Sequence, residues 1–146
     1  MQYIISNKLR RYNNLYSEIT AVYHDISVKL GISDSATLIL YNICCEGGSL
    51  PLGELCRCSG LSKQTIHSSI RKLEQEGVVH LEAIDGKSKR VCLTEQGKRY
   101  TEKTILRMMQ MEESVYSSWE EADLEKYLEL TERFLHSLKE KAGQMT

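Results

Sequence analysis

At 146 residues the chain falls within the range of one ordinary domain and can bury a real core. A composition of 41% apolar and 27% charged residues, with nine Gly and one Pro, excludes a collagen-like or low-complexity chain and leaves little for disordered linkers. No apolar run approaches the ~20 residues that cross a bilayer, and "MQYIISNKLRRYNN" lacks the basic-then-apolar order of a signal peptide. Five cysteines without such a signal point to a reducing compartment, so a cytoplasmic protein with no membrane partner is expected.

The net charge of −1 conceals a gradient. Residues 57–103 carry ten Lys/Arg and six Asp/Glu, a balance of +4, whereas residues 112–132 carry eight acids against Lys126. Oppositely charged regions suit separate partners, nucleic acid among them, although unevenly solvated helices produce the same pattern.

In chain order, Leu9, Tyr12, Tyr16, Ile19, Tyr23, Ile26 and Leu30 step alternately by three and four residues. Such a narrow seam is how a helix faces another helix. Gly31 is its expected stop, and Ser33 or Asp34 the cap of a second helix with Ala36, Ile39, Leu40 and Ile43 on one face. "EGGS" closes that helix, and Leu52–Cys58 has room for only a short one. In "LSKQTIHSSIRKLEQEG", Ser62 is the expected N-cap, Ile66, Ile70 and Leu73 form a stripe, and Gly77 is the stop. The period then changes: "VVHLEAI" and "RVCLT" favour strands, with Asp85-Gly86 marking a turn. Thr94 caps a helix expected to run from "EQGKRY" through Ile105, Met108 and Met109 towards Trp119. A last amphipathic helix places Leu124, Leu128, Leu135 and Leu138 on one side.

The expected fold class is mainly α with a small β-hairpin: a winged helix-turn-helix lobe plus amphipathic N- and C-terminal helices that pack together or against a second subunit. Residues 1–146 read as one domain, with the lobe at about 34–94 and the outer helices, dimerisation helices if a second subunit covers them, at about 3–30 and 95–142.

Stepping 100° per residue from Ile66 puts Gln64, Ser68, Arg71 and Gln75 opposite the stripe, with His67 and Lys72 on its flanks and Lys63 near the helix start. Arg can grip guanine and Gln adenine with paired hydrogen bonds, and a capped helix start, here at Ser62, can hold a phosphate. A plain solvated face explains the same residues when the helix is taken alone. The preceding short helix and the cationic hairpin favour DNA. Lys87, Lys89 and Arg90 at that hairpin can reach phosphates or the minor groove, with Asp85 placed to hold Lys87 or Arg90.

With these motifs the sequence resembles the MarR family of winged-helix transcriptional regulators. The resemblance lies in "LSKQTIHSSIRKLEQEGVV" and "DGKSKRVCLTEQGKRY", where Asp85, Leu93, Thr94 and Gly97 match the family's wing pattern. Lys87 stands where the family has Arg, and Lys lacks the planar fork that suits a narrow groove. The resemblance implies a homodimer with interlocked first and last helices that binds a pseudo-palindromic operator in double-stranded DNA. It implies a transcriptional regulator, expected to be a repressor, released by a phenolic or anionic small-molecule effector. Tyr12, Tyr16, Tyr23 and Tyr41 are the candidate effector residues, although tyrosines at helical spacing are ordinarily interface or core.

"GELCRCSG" carries a second resemblance, to the metal-responsive ArsR repressors, through Cys56-x-Cys58. Residues i and i+2 of a helix lie about 200° apart, which opposes a shared ion. Cys44, Cys45 and Cys92 offer further ligands or a redox pair that sequence cannot bring together, so a thiol- or metal-responsive winged-helix repressor stays as an alternative. Buried structural thiols are the expected account, with no metal beyond the candidates Cys56 and Cys58 and no cofactor. His24, His67, His80 and His136 show no H-x-x-x-H spacing, and there is neither a Gly-rich phosphate loop nor a nucleophile elbow, so no enzyme is expected. A winged helix that binds protein instead of DNA stays open.

Overall fold

The computed structural model describes residues 3–146, which divide into two compact units, one ending at Met108 and one beginning at Met109. The first helix, α1 (Asn7–Leu30), starts where the Ser6 hydroxyl accepts the Leu9 N–H and stops at Gly31, whose φ of 71° is the left-handed geometry of a helix stop. Over residues 7–25 α1 is exposed on every side, and it enters the core only at Ser27, whose hydroxyl meets that of Thr37 at 3.0 Å.

Helix α2 (Asp34–Cys45) is capped by Ser33, one of the two caps expected. It buries Ile39, Leu40 and Ile43 completely against α3 (Leu52–Ser59) and α4 (Lys63–Gln75). Each such side chain contributes roughly 1.5–3 kcal/mol through removal from water. The α4 stripe closes the core: Ile66 is fully buried, and Ile70 and Leu73 are 3% exposed.

The hairpin strands are β2 (Val79–Ala83) and β3 (Lys89–Leu93), and the sheet gains a third strand that sequence patterning does not reveal, β1 (Ser49–Pro51). The order is β1-β3-β2, antiparallel throughout, with His80 and Ser49 both opposite Cys92, and Glu82 and Pro51 both opposite Arg90. A three-residue edge strand ending in Pro carries no periodicity, and an edge is where Pro is tolerated. Leu50, Val79, Val91 and Leu93 line the buried face, so the alternate residues Ser49, His80, Glu82, Arg90 and Cys92 share the other.

The helix expected from Thr94 towards Trp119 is two helices, α5 (Glu95–Lys103) and α6 (Ile105–Ser117), which corrects the single-helix reading. At the break, Thr104 has φ −125° and ψ −79°, and its hydroxyl donates to the Tyr100 carbonyl at 2.8 Å. The Thr101 hydroxyl donates to the Lys98 carbonyl at 3.0 Å, and such back-bonding bends helices.

The second unit holds the end of α6, a turn at Trp119, and α7 (Glu121–Gly143). Trp119 packs edge-on against Tyr127 with ring centroids 5.4 Å apart. Glu121 and Asp123 occupy the first turn of α7, where the helix dipole favours acids. No residue of α7 is buried: Leu124 is half-buried, while Leu128, Phe134, Leu135 and Leu138 are exposed.

Candidate nucleic-acid interface

The turn between α3 and α4 is built by Gly60, at φ 70°, and by Ser59, whose hydroxyl accepts the Leu61 N–H at 3.2 Å. Ser62 then caps α4 as expected: its hydroxyl oxygen accepts the Thr65 N–H at 3.2 Å and the group also donates to the Thr65 hydroxyl at 2.9 Å. Because Ile66, Ile70 and Leu73 are locked in the core, the rotation of α4 is fixed. Ser62, Lys63, Gln64, His67, Ser68, Arg71 and Lys72 are all exposed. A hydrogen bond of 3.0 Å between the hydroxyls of Ser35 and Ser69 ties the flank of α4 to α2. Ser69 is thus a positioning residue that periodicity alone leaves as one more polar position.

The hairpin tip is ordered by Asp85 through the backbone. One carboxylate oxygen accepts the Lys87 N–H at 2.7 Å and the Ser88 N–H at 2.8 Å, and these bonds hold the Asp85 carboxyl below its usual range. Asp85 binds Lys87 by its backbone amide, and the bonds it makes to the tip leave the Lys87 side chain exposed. Lys89 opens β3 and is also exposed. Arg90 lies inside β3, half-buried, and its guanidinium donates to the Ser49 hydroxyl at 3.3 Å. It faces Glu82 across the strand pair, so its charge is committed to the sheet more than the sequence suggests.

The candidate effector residues lie on two helices of the first unit. Tyr12 and Tyr16 stack on α1 with centroids 6.2 Å apart, Tyr23 is exposed on the same helix, and Tyr41 is half-buried on α2. A cavity of about 80 Å³ lies elsewhere in the first unit, lined by Ile32, Ser33, Ser69, Lys72, Leu73 and Tyr100 among others. Burial pushes the Tyr100 hydroxyl up from its usual range, with the Glu76 charge adding to it. The neighbours of Tyr100 there come from the α1–α2 turn, α2 and α4, which sequence spacing does not bring together.

Of the two thiols raised as metal candidates, Cys56 is half-buried and Cys58 exposed, the latter directed at the Leu55 carbonyl 3.9 Å away. Cys44 is half-buried, and desolvation raises its thiol; Cys45 is exposed and only Cys92 is buried, which corrects the expectation of buried thiols for the other four.

A model of the MarR family matches residues 30–90, the segment holding α2 to α4 and most of the hairpin. Among solved structures, NMB1585, a MarR family regulator from Neisseria meningitidis, superposes with a TM-score of 0.83 at 16% identity, covering 95% of this chain and 99% of that one. The S. aureus MepR–DNA complex superposes at 0.69 with 17% identity, covering 92% and 99%. NadR in complex with 4-hydroxyphenylacetate superposes at 0.68 with 14% identity, covering 94% and 96%. No curated protein matches the sequence. At these identities the likeness establishes the fold, which is that of the MarR family transcription regulators, with a winged helix at its centre.

Proposed function

We propose that this chain, whose residues 30–90 match the MarR family model on a MarR regulator fold, is a sequence-specific DNA-binding repressor that acts as a homodimer. One observation carries the reading. A helix locked by a buried stripe presents Lys63, Gln64, Ser68 and Arg71 outward, in a unit that also presents Lys87 and Lys89 at the end of a hairpin. Arg71 and Gln64 supply the planar donor and donor–acceptor groups that read base edges. Lys63, Ser62 and the wing lysines supply phosphate contacts that fix register without reading sequence.

Dimerisation is supported by the exposed seam of α1, where Leu9, Tyr12, Tyr16, Ile19 and Tyr23 are 41–60% accessible, and by the exposed leucines of α7. Apolar surface in that amount and periodicity calls for a second helix. A dimer of winged helices meets two half-sites about one turn of DNA apart, which makes the operator a pseudo-palindrome. For the effector, the NadR complex favours a phenolic acid. The stacked Tyr12 and Tyr16 rings of α1 offer such a molecule an aromatic face.

The test is DNA affinity against salt, with genomic fragments as ligand. An affinity that falls steeply with salt and drops again in Arg71→Ala supports the reading. Binding that is flat in salt and indifferent to Arg71 favours a protein-binding winged helix instead.

A further inference from the structure

The outer face of the wing sheet holds a group of side chains that the DNA reading does not use. His80 on β2 pairs across the strands with Cys92 on β3, and Glu82 follows two residues along β2 on the same side. The His80 Nε2 and a Glu82 carboxylate oxygen are 2.9 Å apart, and one ligand atom from each of His80, Glu82 and Cys92 lies within 4.8 Å of the other two. A tetrahedral ion with bonds of 2.0–2.3 Å needs its ligand atoms roughly 3.3–3.7 Å apart, so small rotamer shifts suffice. The backbone beneath is a regular antiparallel ladder that holds the three side chains in register. Among the described residues this is the one cluster of three or more such ligands, and it contains neither Cys56 nor Cys58.

We propose that His80, Glu82 and Cys92 bind a single transition-metal dication of the class that accepts mixed nitrogen, oxygen and sulfur ligands, zinc(II) and cobalt(II) being its members with tetrahedral preference. Three protein ligands leave the fourth position to water. His80 and Glu82 are exposed and form the entry side, while Cys92 is 8% accessible and forms the floor. Binding releases the thiol proton of Cys92 to solvent and adds two positive charges, so the site goes from −1 to neutral. The groups facing it are Ser49 from β1 and Arg90 from β3. The Arg90 cation opposes an incoming ion, and its bond to Ser49 partly turns it away. An ion at this place ties β2 to β3. The site stands on the sheet geometry alone and does not depend on what the protein binds elsewhere.

Cobalt(II) titration of the full-length reduced protein reads the site directly, because thiolate–cobalt charge transfer absorbs in the near ultraviolet and tetrahedral cobalt gives intense visible bands. One equivalent per chain is expected, with the sulfur band absent in Cys92→Ser and the affinity reduced by more than about tenfold in His80→Gln and in Glu82→Gln. The triple variant Cys45→Ser/Cys56→Ser/Cys58→Ser should bind as the parent does. Should Cys92→Ser not fold, the two exposed variants carry the test. No sulfur band, a band indifferent to both His80→Gln and Glu82→Gln, or a band lost in the triple variant overturns the proposal.

Discussion

Gly97, in the first turn of α5, packs directly against the backbone that leads into the wing. A Cβ built there would stand 1.9 Å from the Val78 carbonyl oxygen and 3.0 Å from its carbon. An ordinary van der Waals approach needs roughly 3.0 Å or more, so Gly97→Ala forces the start of α5 and the Val78 peptide apart by about 1 Å. The Val78 carbonyl cannot yield freely, for it accepts the Thr94 N–H at 3.1 Å and the Thr94 hydroxyl at 3.2 Å. The same hydroxyl donates to the Gly77 carbonyl at 2.6 Å and caps α5 by accepting the Gly97 N–H at 2.9 Å. Overpacking of a tight site costs about 1–3 kcal/mol, and each weakened hydrogen bond adds about 1 kcal/mol. A loss of about 2–4 kcal/mol is therefore expected, a large share of the roughly 5–15 kcal/mol typical of a domain. Urea unfolding followed by far-ultraviolet circular dichroism measures it, as a lower midpoint at unchanged m-value. Gly53→Ala, where an added Cβ meets nothing within 4 Å, is the control and should be neutral or mildly stabilising. A cost under about 0.5 kcal/mol for Gly97→Ala would refute the clamp between the turn before β2 and the start of α5.

Removing Lys87 and Lys89 together should flatten the log–log salt dependence of DNA binding by up to about 0.9 for each phosphate no longer neutralised; an unchanged slope would reduce the tip to a solubilising turn. Ser62→Ala should cost about 1 kcal/mol of stability through loss of the α4 cap, measured by urea unfolding, and no cost would mean the cap is not made in solution. Asp85→Ala should speed amide exchange at Lys87 and Ser88, whose N–H groups the carboxylate accepts; equal protection would count against the turn. Since those bonds lower the Asp85 pKa when folded, their contribution is present at neutral pH and lost as pH falls through the folded value. The amide shifts of Lys87 and Ser88 should therefore titrate together, with a midpoint below the ordinary aspartate value.

Local chemistry made much of the fold legible. Ser33, Ser62 and Thr94 cap the helices they were expected to cap, Gly31 and Gly77 take positive φ, and the Ile66–Ile70–Leu73 stripe is buried. Each depends on residues within one or two turns of one another. What escaped the sequence depends on residues brought together from afar. β1 exists only because β3 offers an edge, and the break at Thr104 follows from hydroxyl back-bonding that periodicity ignores. The place of Arg90 follows from strand register: one residue nearer the turn it would be a free tip cation, whereas opposite Glu82 it is tied to Ser49. His80 and Cys92 are twelve positions apart, a spacing that suggests no ligand pair until the hairpin sets them side by side.

Whether the chain reads DNA sequence as a symmetric dimer is decided by selecting bound duplexes from a random pool at moderate salt. Enrichment of a two-fold symmetric site, with half-site centres about 10 base pairs apart, is expected, and Arg71→Ala should relax preference at a symmetric pair of positions at a cost of about 1–3 kcal/mol. A pool that stays random through successive rounds, or sites that show no symmetry and are recovered equally by Arg71→Ala, would rule out a sequence-reading dimer.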